Sequence, residues 1–207
     1  MKHILLALAV APLGFAANAQ WQVNPQVGVT YQNITKPPVG ITYSARVGFL
    51  VGADVRWGNK VYLQPGAFIG RNSTFIEYSD TLAQSGRFVV TNLKLKLMGG
   101  YRLIDKYQFD MRLAVGPTFD VALSRDVKDS DISFNDGEFN EALWNLDVAL
   151  GLDMGMFTLE PSVSLGLSRV YNDDVSVQNL DSRYLTYLLT LGVNIGDDDK
   201  DAVDKNN

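Results

Sequence analysis

The side chains that could do chemistry in this sequence are twelve charged residues set among apolar ones. The cations are Arg46, Arg56, Lys94, Lys96, Arg102 and Arg112, and the anions are Asp54, Asp110, Asp120, Asp147, Asp153 and Glu160. Several stand two apart, as in Asp54/Arg56, Lys94/Lys96 and Asp110/Arg112, which puts both members on one face of a β-strand. Three chemistries are open to such a set. Paired carboxylates can do acid–base work, a charged passage can guide ions, and a balanced set can lock into static ion pairs. The 207-residue chain has no Cys and its single His is at position 3, inside what reads below as a removable leader. Ser-His-Asp logic and thiol nucleophiles are therefore absent from the mature chain. The loop Arg125–Glu141 is acidic but has Asp136 where a calcium-binding loop needs glycine. Neither catalysis, a metal nor a cofactor is expected.

The segments that carry these charges alternate. In Tyr43–Trp57 the odd positions Tyr43, Ala45, Val47, Phe49, Val51, Ala53, Val55 and Trp57 are apolar, while the even ones include Arg46, Asp54 and Arg56. Strict alternation marks a strand with a different solvent on each face. The same pattern recurs in Trp21–Tyr31, Val61–Gly70, Val89–Leu103, Tyr107–Leu123, Ala142–Met156, Phe157–Leu167 and Leu185–Ile195, which makes eight strands. Their apolar faces hold about 55 residues and no charged one, where a 20% charged fraction would place about eleven. Connections alternate short and long. Aromatic residues form two girdles: Trp21, Trp57, Tyr101, Tyr107 and Phe157 beside the short turns, and Tyr31, Tyr43, Trp144 and Tyr187 beside the long loops. The predicted fold is all-β, an eight-stranded antiparallel up-and-down transmembrane β-barrel. No apolar run is long enough for a transmembrane helix.

Residues 1–19 read as a signal peptide, with Lys2, the apolar run Ile4–Val10 and the cleavage signal Ala17-Asn18-Ala19. Residues 20–196 would be the barrel and 197–207 an acidic, disordered periplasmic tail. The net charge of −5 argues against nucleic acid as a partner. Eight strands enclose a narrow lumen that side chains can fill. The twelve charges should pair there, densest around Arg56, Arg102, Asp110, Arg112, Asp153 and Glu160, and inward glycines should make room for the long cations. Pro65, Pro117 and Pro161 interrupt strands and predict local bulges. Phe134 and Phe139, with Phe75, Ile76 and Tyr78, suggest a contact surface on the long loops.

Val47-Gly48 to Gly52-Ala53, Leu63-Gln64-Pro65 and Ala114-Val115-Gly116-Pro117 resemble the texture of PorT-type outer-membrane β-barrel proteins, relatives in architecture of the OmpA and OmpX barrels. The resemblance covers roughly residues 23–195. It implies a Gram-negative outer-membrane location, with outer-membrane lipid and lipopolysaccharide around a monomeric barrel and an envelope protein as a possible partner. Such barrels commonly end on an aromatic residue, whereas this last strand ends at Ile195. The expected role is non-enzymatic: action through external loops or as accessory to an envelope or secretion complex, with an ion-paired lumen. A narrow gated pore for small solutes or ions is the alternative. A soluble barrel around an apolar ligand would need the opposite, an apolar interior.

Overall fold

The structure, a computed structural model, describes residues 21–36, 41–78, 85–106, 108–128, 139–171 and 181–196. The proposed signal peptide and acidic tail lie outside these. The strands are β1 (Trp21–Thr35), β2 (Ile41–Ala45), β3 (Val47–Gly58), β4 (Val61–Tyr78), β5 (Ser85–Lys106), β6 (Phe109–Lys128), β7 (Ala142–Met154), β8 (Phe157–Gly166), β9 (Arg183–Val193) and β10 (Ile195–Gly196). Pairing is antiparallel throughout and follows chain order from β3 to β9; β2 pairs with β4, β10 pairs with β1, and β1 pairs with both β3 and β9. β2 with β3, and β9 with β10, each make one wall, so the sheet closes as an eight-stranded barrel. No helix among the described residues is long and apolar enough to cross a membrane.

Alternation places side chains as the two-residue period requires. Val27, Val51, Leu97, Val115, Leu189 and Leu191 are exposed on the outer face, while Arg112, Asp54, Gln64 and Asn24 are almost wholly enclosed. This inverts a soluble protein, because the polar atoms are inside and the outer face is apolar.

Three expectations need correction. The segment Arg71–Arg87 reads as a polar loop, yet β4 runs on to Tyr78, β5 starts at Ser85, and the two still pair at Glu77 and Ser85. Ladder hydrogen bonds override the weak local signal there. The second predicted strand is not continuous. Ala45 faces Thr74 while Phe49 faces Arg71, so four residues advance against three on β4. A one-residue slip reverses which face a side chain takes. Arg46, expected in the lumen, is consequently exposed, with its guanidinium 5.4 Å from the Phe75 ring centroid.

The prolines do not create bulges. Opposite β3, β5 and β7 respectively, Pro65, Pro117 and Pro161 and the residue before each drop out of the ladder, which resumes in the same register. Each proline stays paired on its other side, with Leu97, Leu146 and Leu189. A missing N–H removes pairing on one side only and needs no extra residue. Register shifts occur instead at Thr91/Asn92 and Arg102/Ile104. They leave Leu123 and Leu103 as the additional residues, both exposed on the outer face.

If the outer face contacts hydrocarbon, the cost of a charge there must depend on depth. Val115→Arg, at the middle of β6, should destabilise the barrel by about 2–4 kcal/mol and Val61→Arg, beside a turn, by about 0–1 kcal/mol. Urea unfolding from lipid vesicles measures both, and equal costs would contradict the depth assignment.

Candidate functional site: the charged lumen

The lumen charges fall into layers. In the deepest layer Arg112, from β6, reaches across to β7 and β8. Its Nε donates to Asp153 Oδ2 at 2.9 Å and its Nη1 lies 3.0 Å from Glu160 Oε2. Nη1 also lies 3.3 Å from Gln64 Oε1 and 3.4 Å from the Tyr62 hydroxyl. Arg56 of β3 reaches the same Asp153 Oδ2 at 3.0 Å and donates to Thr158 Oγ1 at 3.1 Å. Lys96 of β5 bridges Asp54 at 2.8 Å and Glu160 at 3.2 Å. Asp54 Oδ2 further accepts from Gln26 and Gln64, each at 2.7 Å. Three cations meet three anions here, and β1 and β3 to β8 all contribute, so opposite walls are tied together.

Burial sets the energetics. Arg112 and Asp54 are each 1% exposed and Glu160 is 3%. Removing such ions from water is costly unless partners fill their hydrogen-bonding positions. Charge-assisted bonds fill most of these positions, helped by the neutral Gln22, Gln26, Gln64, Tyr62 and Thr158, while Asp54 Oδ1, Arg56 Nε and Arg112 Nη2 have no hydrogen-bond partner among the described residues. Backbone space is equally specific: the Arg112 guanidinium lies against Gly151, where a Cβ would overlap it, and the Tyr62 ring lies against Gly100.

A second layer lies toward the long loops. Lys94 Nζ is 3.0 Å from Asp147 and 3.8 Å from Asp120, and it bonds Thr118 and Ser164. Asn145 donates to Asp120 at 2.8 Å. Toward the short turns, Arg102 reaches Asp105 at 4.0 Å, and Asp110 accepts the Lys106 amide at 3.1 Å. Of the twelve expected lumen charges, Arg46 alone is placed on the outer face, while Asp120 is half-buried and the other ten are buried.

Aromatic side chains close the loop end. Phe139 stacks on Phe88 at 5.2 Å and on Tyr171 at 5.1 Å, with the Arg125 guanidinium 5.8 Å from its ring. Asn140 ties this cap together by donating to the carbonyls of Arg169 and Tyr171. Phe139, expected on a contact surface, is therefore turned inward; Phe134 lies outside the described residues. Beneath the cap sit cavities of about 40, 20 and 20 Å³, room for about one to three waters each. Outside the barrel wall, Asp181 accepts from Lys36 at 2.8 Å and from Arg183 at 3.1 Å. These bonds hold its carboxyl below the usual carboxylate range.

The aromatic girdle residues Trp21, Trp57, Tyr101 and Phe157 are exposed at the turn end, and Tyr31, Trp144 and Tyr187 at the loop end. Tyr107 and the Tyr43 side chain lie outside those described. Sequence reasoning missed the neutral partners and the cap. Gln22, Gln26, Gln64 and Thr158 all sit at inward positions of the alternation, so parity could have found them. Nothing local foretells that Phe139 meets Phe88 and Tyr171.

Against known proteins, a family model described as outer membrane protein beta-barrel domain matches residues 15–172. Among solved structures, the outer membrane protein OprG from Pseudomonas aeruginosa is similar, at 11% identity over 85% of this chain and 96% of that one, with a TM-score of 0.52. That likeness concerns the fold. The attachment invasion locus protein Ail of Yersinia pestis, crystallised with the heparin analogue sucrose octasulfate, also matches. It is 11% identical over 85% of this chain and 99% of its own, with a TM-score of 0.43. No curated protein matches the chain.

Breaking the deep layer should be far costlier than breaking an exposed pair. Glu160→Ala leaves Lys96 and Arg112 short of a buried partner and should cost about 3–5 kcal/mol, whereas Arg183→Ala should cost under about 1 kcal/mol. Urea titration of the folded barrel in vesicles distinguishes these, and similar losses would contradict the layered account. Gly151→Ala should cost about 1–3 kcal/mol by displacing Arg112.

Proposed function

Because this chain belongs to the outer membrane protein β-barrel domain family, we propose that it is a non-enzymatic outer-membrane barrel with a plugged, non-conducting lumen. It acts through its long loops, or as an accessory to an envelope or secretion complex. In this reading the short turns and both termini face the periplasm and the long loops face outward, as the even strand number and loop asymmetry favour. The resemblance of Leu63-Gln64-Pro65 and Ala114-Val115-Gly116-Pro117 to PorT-type barrels supports the accessory role.

One observation carries the reading: Arg112, 1% exposed, contacts Asp153, Glu160, Gln64 and Tyr62 on three other strands. A permeating ion would have to displace these pairs, and each displaced partner would be left buried and charged. The carboxylates of Asp153 and Glu160 are engaged by these same pairs rather than held free for acid–base work.

In planar bilayers the native protein should show no steady single-channel conductance. Arg112→Ala should raise the frequency of transient openings. Stable wild-type conductance abolished by closing the loop cap would overturn the plugged reading and favour a narrow gated pore.

A further inference from the structure

We propose that the outer face of the β2–β4–β5 edge, just beyond the apolar belt, is a binding site for the phosphate headgroup of a membrane lipid. The register slip that turns Arg46 out of the lumen delivers it to this face. Its backbone N–H donates to the Ser73 carbonyl at 3.2 Å and its guanidinium lies over Phe75. Arg87, exposed and paired in register with Phe75, donates from Nε to Ser73 Oγ at 2.9 Å. Arg71 stands two residues before Ser73 on the same face of β4. Two guanidinium groups thus meet Ser73 and Phe75, with Arg71 on the same face of β4, and Lys128 occupies the register position facing Arg87. Asp126, opposite Val89, is the anion described on this face.

The neighbouring apolar wall selects a lipid rather than a soluble anion. Arg71 is paired in register with Phe49, and Phe49 and Ile69 below it are 58% and 51% exposed as part of the apolar outer wall. A ligand seated here meets hydrocarbon-matched surface on one side and cations on the other, which is the layout of a phosphorylated lipid at its headgroup level. The guanidinium fork suits phosphate oxygens, and it keeps its charge at any physiological pH. Arg46 and Arg87 are already held by Phe75 and Ser73, so less side-chain freedom is lost on binding. The twelve-charge set otherwise turns inward; a cation cluster on this face has no lumen partner to satisfy.

The inference rests on the membrane reading above, but its test does not depend on sidedness or conductance. Full-length protein in neutral detergent is titrated with dioleoylphosphatidic acid, a phosphate monoester, and with dioleoylphosphatidylcholine, with native mass spectrometry as the readout. The wild type should prefer phosphatidic acid by about tenfold or more, and combined Arg46→Gln, Arg71→Gln and Arg87→Gln should abolish that preference. Arg183→Gln, an exposed cation elsewhere, should leave it unchanged. The single variants, each expected to lose part of the preference, carry the test if the triple variant does not fold. Equal affinity of wild type for the two lipids, or an unaltered preference in every folded variant, would overturn the proposal. So would inorganic phosphate competing as well as the lipid does, which would mark a free-anion site.

Discussion

A backbone amide that faces hydrocarbon has only a neighbouring strand to bond to, and this requirement governs the rest of the molecule. It closes the sheet, since any open edge would leave a row of unsatisfied groups. Closure then fixes the lumen at a width that eight strands can enclose and side chains can fill. The prolines show how strictly the rule is kept. At Pro65, Pro117 and Pro161 the ladder lapses on one side only and resumes in register, so the loss stays local and the wall stays closed.

Closure also decides what the interior must be. With the apolar residues committed to the outer face, the inner face has few left for a conventional core; Tyr62, Met98, Ala114 and Ala149 form the buried apolar cluster. Cohesion inside falls to charge and hydrogen bonding. Buried ion pairs are weak stabilisers when an apolar replacement would serve. Here they do something apolar residues cannot, because long side chains such as Arg112 and Lys96 span the lumen and bind opposite walls. Glycines such as Gly151, Arg112's register partner on the neighbouring strand, make room for that length.

Much of this was legible in the sequence. A period of two is a direct consequence of strand geometry, so Tyr43–Trp57 and its counterparts announced eight strands and the inward charges. Three things were not legible, each for a physical reason. A bulge leaves no composition mark, so the slip that ejects Arg46 can be seen only in the pairing of Ala45 with Thr74 and of Phe49 with Arg71. Polar stretches such as Arg71–Tyr78 and Ser85–Arg87 extend as strand because neighbouring edges offer hydrogen bonds, which local propensity does not report. The cap of Phe88, Phe139 and Tyr171 joins residues far apart in the chain. For the lumen, parity chose the right face for Asp54 and Glu160, but which acid meets which cation depends on register around the whole ring.

The central claim is that the deep lumen layer acts as one coupled unit across the barrel. A double-mutant cycle between Arg56 on β3 and Asp153 on the opposite wall, β7, with Arg56→Met, Asp153→Leu and the pair unfolded from vesicles of one composition, tests it most directly. The account predicts that the double variant is more stable than the sum of the single losses implies, by about 1.5–3 kcal/mol, because each single change strands a buried charge that the other removes. Strict additivity would contradict it and would mean that water, not the opposing wall, holds these charges.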